Sequence, residues 1–177
     1  MADTTSSREQ RSRILTGMFK DRESAEGAYR SLNDRGYTKD DVNVLMSDET
    51  RKKHFADDDT ELGSKALEGA GVGAAIGGTL GAIIAGIAAV GTLAIPGVGL
   101  IAAGPIAAAL AGLGAGGAAG GLIGALVGAG IPEERAKVYD KGIKEGGIVM
   151  GVTPRSDEDA RYIEGEWKRN RGEDVYY

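Results

Sequence analysis

The chain has no cysteine in its 177 residues, which excludes disulfides, thiolate metal sites and cysteine nucleophiles. Aromatic residues make up only 5%, and His54 is the one histidine. The largest absence is of charge: between Glu68 and Glu133 no side chain ionises over 64 residues. Within it, Gly69 to Ile131 holds no aromatic residue, and Thr79 and Thr92 are the only hydroxyls. The net charge is -5, and no Lys/Arg cluster is interleaved with aromatics, so nucleic acid is not an expected partner. The first ten residues are polar and lack the apolar core of a secretory signal. Both charged flanks are therefore expected on the cytoplasmic side.

The charge-free run is built from Gly, Ala, Ile, Leu and Val. It is about three times the ~20 apolar residues that one membrane-spanning helix needs. Two helices and a turn fit within it, and the chain divides accordingly: a polar tail (1–12), a first α/β half (13–47), a charged connector (48–65), an apolar helical hairpin (66–131, turning near 95–105) and a second α/β half (132–177).

In the first half, Ile14–Phe19 reads as a strand, and Ala25, Ala28, Tyr29 and Leu32 recur with helical spacing. Asp21 is a candidate cap at that helix's start and Gly36 at its end. Val42–Met46 supplies a second strand. In the second half, Pro132, Glu133 and Glu134 open a helix that Lys141, Lys144 and Gly146 close. Ile148–Val152 is a strand, and Ser156 with Asp159 forms a capping signal before the buried stripe Ala160, Ile163 and Trp167. Val175–Tyr177 offers a short last strand. The expectation is an α+β fold: a split ferredoxin-like sandwich whose two halves flank the inserted glycine-zipper hairpin.

These residues also carry a resemblance. Met18–Ala25, Leu32–Tyr37 and Asp41–Ser47, with the strand Gly146–Val152, are similar to the bacterial general stress protein 17M-like, or low-temperature-induced, family. The resemblance covers most of the chain from Ile14 onward. It implies a stress-induced protein without assigned chemistry, and it carries over no active-site residue.

Glycine returns every fourth residue at Gly69, Gly73, Gly77 and Gly81, and again at Gly112, Gly116, Gly120, Gly124 and Gly128. Glycine in a helix costs about 1 kcal/mol relative to alanine, so close backbone packing along these stripes is expected to offset it. Val72, Ile76, Leu80, Ile84 and Ile87, and on the second helix Leu122 and Leu126, are expected to face lipid or an apolar core. Pro96, Gly97, Gly99, Gly104 and Pro105 are assigned to the turn. That tip carries no charge and no interfacial aromatic, unlike a turn delivered to water. It is expected to be a wedge shielded by protein, or to point into a closed assembly.

Other signals are read blandly. His54, among Arg51, Lys52 and Lys53, is assigned no role. Asp57–Asp59 with Glu61 lack the spacing of a calcium loop, and Asp157, Glu158 and Asp159 sit where a helix start favours negative charge. Tyr162, Trp167, Tyr176 and Tyr177 are expected in a core or interface, and the glycine runs lack the lysine of a phosphate-binding loop. No catalytic, metal or cofactor site is assigned, and no small-molecule substrate. The expected function is a non-enzymatic, stress-related structural protein that self-associates through its hairpins in or around lipid. The rival readings are a soluble closed particle burying the hairpins, a small membrane pore, and a ligand-sensing domain on a membrane anchor.

Overall fold

The computed structural model describes residues 14–55, 93–95, 100–104 and 116–177. β1 (Leu15–Phe19) leads into α1 (Arg22–Asp34), and a single 3-10 turn (Lys39–Asp41) precedes β2 (Val42–Ser47) and α2 (Asp48–Phe55). β3 (Leu93–Ile95) and β4 (Leu100–Ala103) follow, then α3 (Gly116–Gly128), α4 (Glu133–Lys144), β5 (Ile148–Val152), α5 (Asp157–Arg169) and β6 (Glu173–Tyr176). The fold is α+β, on one antiparallel sheet of order β3-β4-β2-β5-β1-β6.

Strand alternation divides the interior between two faces. On the first, Leu15 and Phe19 from β1, Val42, Val44 and Met46 from β2, and Ile148, Met150 and Val152 from β5 join the apolar stripes of α1 and α5. Trp167 is the largest fully buried side chain. Its ring meets Phe19 edge to face at 5.6 Å, and its Nε1 donates to the Ala28 carbonyl at 3.3 Å. Gly17 leaves room for it, since a Cβ there would stand 2.9 Å from the indole. On the second face, Met18, Leu45 and Val149 meet Leu122 and Leu126 of α3, Ile131, and Ala136, Tyr139 and Ile143 of α4.

The helices end where local chemistry directs. Asp21 Oδ1 accepts the Ser24 N–H at 2.8 Å, capping α1 and holding the Asp21 carboxyl below its ordinary pKa. At the other end the Gly36 N–H reaches Asn33 O and the Tyr37 N–H reaches Leu32 O, a Schellman closure. α4 closes in the same way through Gly146 and Gly147, and α5 through Arg171 and Gly172. Ser156 Oγ accepts the Asp159 N–H at 3.1 Å, but Asp159 does not return the bond as a capping box would. Its Oδ2 instead accepts from the Tyr37 hydroxyl at 2.9 Å.

Three features depart from the sequence expectation. The connector expected over 48–65 begins as helix α2, whose Phe55 is buried in the first core, with the Arg22 guanidinium over its ring at 4.9 Å. The segment expected to form the tip of a helical hairpin near 95–105 instead places two strands on the sheet: β4 pairs with β2 through Val44↔Ala103 to Ser47↔Leu100, and β3 pairs with β4. β2 would otherwise be an edge with unpaired backbone groups, and β4 satisfies them. Finally, the run expected as one continuous second zipper helix is interrupted at Gly121, whose φ of 59° and ψ of -162° are non-helical. Only glycine adopts that region without strain. Among the described residues no helix is long and apolar enough to cross a membrane.

Candidate functional site

The segment that sets this chain apart meets the domain at two described places, the β3–β4 hairpin and α3. At the first, Gly104 ends β4 with φ +93°, and a Cβ there would collide with the Val42 carbonyl oxygen and sit 3.0 Å from Asn43 Cα. The chain therefore turns past β2 at a position only glycine can occupy. Beside it Asn43, 3% exposed, donates its Nδ2 to the Gly151 carbonyl at 3.2 Å. A buried amide on the second face is thus satisfied across the β2–β5 pair.

α3 contributes one face to the interior and leaves another open. Leu122 and Leu126 are buried in the second core, because they sit four apart on the stripe facing the sheet. Gly124, Val127 and Gly128 are exposed, Val127 at 42%. A Cβ added at Gly124 would meet nothing within 4 Å. The outward side of α3 is therefore apolar, free of charge and unfilled by the described residues of its own chain. Gly116 and Gly120 also lie on this helix. Gly69, Gly73, Gly77, Gly81, Gly112, Val72, Ile76, Leu80, Ile84, Ile87, Pro96, Gly97, Gly99 and Pro105 lie outside the described residues, as do Asp57–Asp59 and Glu61.

The polar groups form structural networks. Tyr37 donates to Asp159 and accepts the Arg155 N–H at 2.8 Å, while the Arg155 guanidinium stacks 4.2 Å above its ring. Burial raises the Tyr37 pKa. Arg35 lies 3.3 Å from Asp159 and stacks over Tyr162 at 4.2 Å. Together these tie the end of α1 to the start of α5. Asp41 accepts the Thr38 N–H at 2.8 Å and pairs with Arg155 at 3.3 Å, which lowers its pKa. On the second face the Tyr139 oxygen lies 2.7 Å from Thr16 Oγ1 and 2.9 Å from the Asp174 carbonyl. The carbonyl only accepts, so the tyrosyl proton points to it and the threonine hydroxyl completes the pair. Burial pushes the Tyr139 pKa up to about 12. Tyr176 is exposed beneath Arg135, and Tyr177 packs against the first core.

A polar hollow of about 270 Å³ lies between α2 and the end of α4, lined among others by Lys20, Lys53, His54 and Lys144. Its cations are largely answered: Lys20 pairs with Glu173 at 2.8 Å and Lys144 with Asp140 at 2.7 Å, while Glu49 and Glu145 also line the wall. Ser47 Oγ is occupied in capping α2, accepting the Thr50 N–H at 3.0 Å, and the His54 carbonyl accepts from Arg22 at 2.7 Å. Among the described residues no three His, Cys, Asp or Glu side chains gather as metal ligands.

Sequence reasoning missed the β3–β4 hairpin, although apolar runs flanking Pro96-Gly97 are a strand-turn-strand signal. It also missed Tyr139, whose place opposite Thr16 depends on which face of the sheet α4 covers. Compared with protein-family models, with curated proteins and with solved structures, the chain matches none.

Proposed function

We propose that this is a non-enzymatic structural protein that self-associates through the outward side of α3 and the glycine-rich insertion, in contact with lipid but without crossing a bilayer. The domain is read as a split ferredoxin-like sandwich, a reading supported by the units β1-α1-β2 and β5-α5-β6 and the order β2-β5-β1-β6. The observation that carries the functional reading is the pairing of β4 with β2. It returns the middle of the charge-free run to the domain.

That pairing constrains what the insertion can reach. Phe55 and Leu93, both held at the domain, bound a connection of 37 residues, of which only 69–92 is free of charge. Leaving and returning through a bilayer needs two spans of ~20 apolar residues each plus a turn. The connection 105–115 has 11 residues, about 16 Å as helix at ~1.5 Å per residue, against a hydrocarbon core of ~30 Å. Lipid contact from one side is compatible with these lengths, and so is burial in the centre of a closed particle. A pore is disfavoured for the same reason. The stress-related role rests on the family resemblance.

The test uses the open position at Gly124. Gly124→Leu adds a side chain where no described residue of the chain lies within 4 Å, so the fold is expected to persist while close approach of a second copy is blocked. Mass should be measured by light scattering on protein recovered without detergent, with lipid analysis of the same fraction. A discrete oligomer for the natural chain and a smaller species for Gly124→Leu is the expected result. Unchanged mass in the variant, or a monomer in both, would overturn the proposed surface.

A further inference from the structure

We propose that the β3–β4 hairpin is exchanged between two copies of this chain, so that β4 of one copy pairs with β2 of the other in a reciprocal dimer within the assembly. This rests on the self-association proposed above and names a contact through which it is made.

The first ground is how the hairpin is attached. Among the described residues its sheet pairing to the rest of the domain is one ladder, Val44↔Ala103, Leu45↔Ala102, Met46↔Ile101 and Ser47↔Leu100, and β3 pairs with β4. A ladder made on one side only transfers intact to an equivalent β2 in another copy, so exchange forms the same bonds in trans that it breaks in cis. The second ground is the hinge. Gly104, at φ +93° against the Val42 carbonyl, is where the chain leaves the sheet, and glycine accepts the changed torsions that a redirected strand requires. The third is reach. Between Phe55 and Leu93 lie 37 residues, and between Gly104 and Gly116 lie 11, so chain length alone permits a second β2 to be reached. The shorter one alone extends up to ~36 Å at about 3.3 Å per residue, the scale of a small domain.

The occupant is fixed by what is already seated there. The segment that fits the β2 edge is Leu100–Ala103, and every copy carries it. β2 is not left open in either state, because vacated edge groups would be unpaired. When copies gather, the local concentration of second hairpins competes with the tether that favours the cis state. No charge lies on Leu93–Ile95 or Leu100–Ala103 to oppose entry into a second domain.

The experiment exploits the absence of natural cysteine. The double variant Ser47→Cys with Leu100→Cys places two thiols at directly paired positions, where Cα atoms in an antiparallel sheet lie ~4.5–5.5 Å apart and a disulfide closes without strain. The refolded, oxidised full chain is run on a denaturing gel and weighed intact, with native mass measured on the same sample. Leu45→Cys with Ala102→Cys, two steps along the same ladder, guards against disturbance of the α2 cap by the first pair. A disulfide-linked dimer as the main species in either variant is expected. An internal disulfide in a denatured monomer, from a sample whose native mass is oligomeric, overturns the exchange and leaves self-association standing. An internal disulfide in a native monomer overturns both. No disulfide in either variant refutes the β2–β4 pairing on which the exchange depends.

Discussion

The two faces of the sheet are covered by helices of different construction. α1 and α5 are bounded by side-chain caps at Asp21 and Ser156, and they press Tyr29, Leu32, Ile163 and Trp167 onto the strands. α4 brings Tyr139 and Ile143 to the other face, but its partner α3 is uncharged, breaks at Gly121, and exposes Gly124, Val127 and Gly128. The first face is finished within one chain. The second is finished on its inner side only, and its outer side has the composition of a packing surface. One domain can thus fold by conventional burial while presenting a surface that a second backbone can approach closely.

The strongest attack on this contrast is Trp167→Ala. Removing the largest buried side chain is expected to cost about 4 kcal/mol and to unfold both faces together, measured as a lowered urea midpoint reported equally by probes on each face. Leu126→Ala, fully buried on the second face, is expected to cost about 3 kcal/mol and to act locally. Hydrogen exchange should rise over 116–128 and stay unchanged over 157–169. If exchange rises equally in both helices, α3 does not open separately from the first face and the contrast fails.

Tyr139 sharpens the comparison through pH. Its raised folded pKa means that the burial-linked stability is fully present below the ordinary tyrosine value near 10 and is lost as pH rises towards about 12. The loss is about 3 kcal/mol at ~1.4 kcal/mol per pKa unit. Tyr139→Phe is expected to abolish that step in an alkaline titration, and at neutral pH to cost about 1.5 kcal/mol for the bonds to Thr16 and Asp174. An alkaline transition unchanged in the variant would place the titrating group elsewhere. Asp21→Ala, which removes the α1 cap, is expected to cost about 1 kcal/mol. Because the Asp21 pKa is lowered, its contribution is present above the ordinary carboxylate range and fades as pH falls through the lowered value. Stability curves of variant and natural chain should therefore converge in acid.

Much of the first face can be read from residue order, because its signals are local. Asp21, Gly36, Ser156 and Gly146 mark helix ends through bonds reaching a few residues along the chain, and Ala25, Ala28, Tyr29 and Leu32 share one stripe by helical spacing alone. The charge-free run defeats the same reasoning. Its alanines, leucines and isoleucines suit a helix or a buried strand equally well, and no polar residue records which side faces water. Leu93–Ile95 and Leu100–Ala103 become strands because β2 offers an edge, which is a tertiary fact. Phe55 was hidden for a related reason, since the charged residues before it suggested a solvated connector, whereas the first core that buries it and Arg22, which stacks over its ring from thirty-three positions earlier, lie far off in the chain.

The central claim is that the middle of the charge-free run returns to the domain instead of lying across a bilayer from it. It is tested most directly by side-specific labelling of single cysteines, Val98→Cys, in the sequence between β3 and β4, and Glu158→Cys on the exposed start of α5, with a membrane-impermeant maleimide on sealed vesicles of both orientations. Labelling of both positions from the same side is the predicted result. Labelling of Val98→Cys only from the side opposite Glu158→Cys would contradict it and restore a hairpin that crosses the membrane.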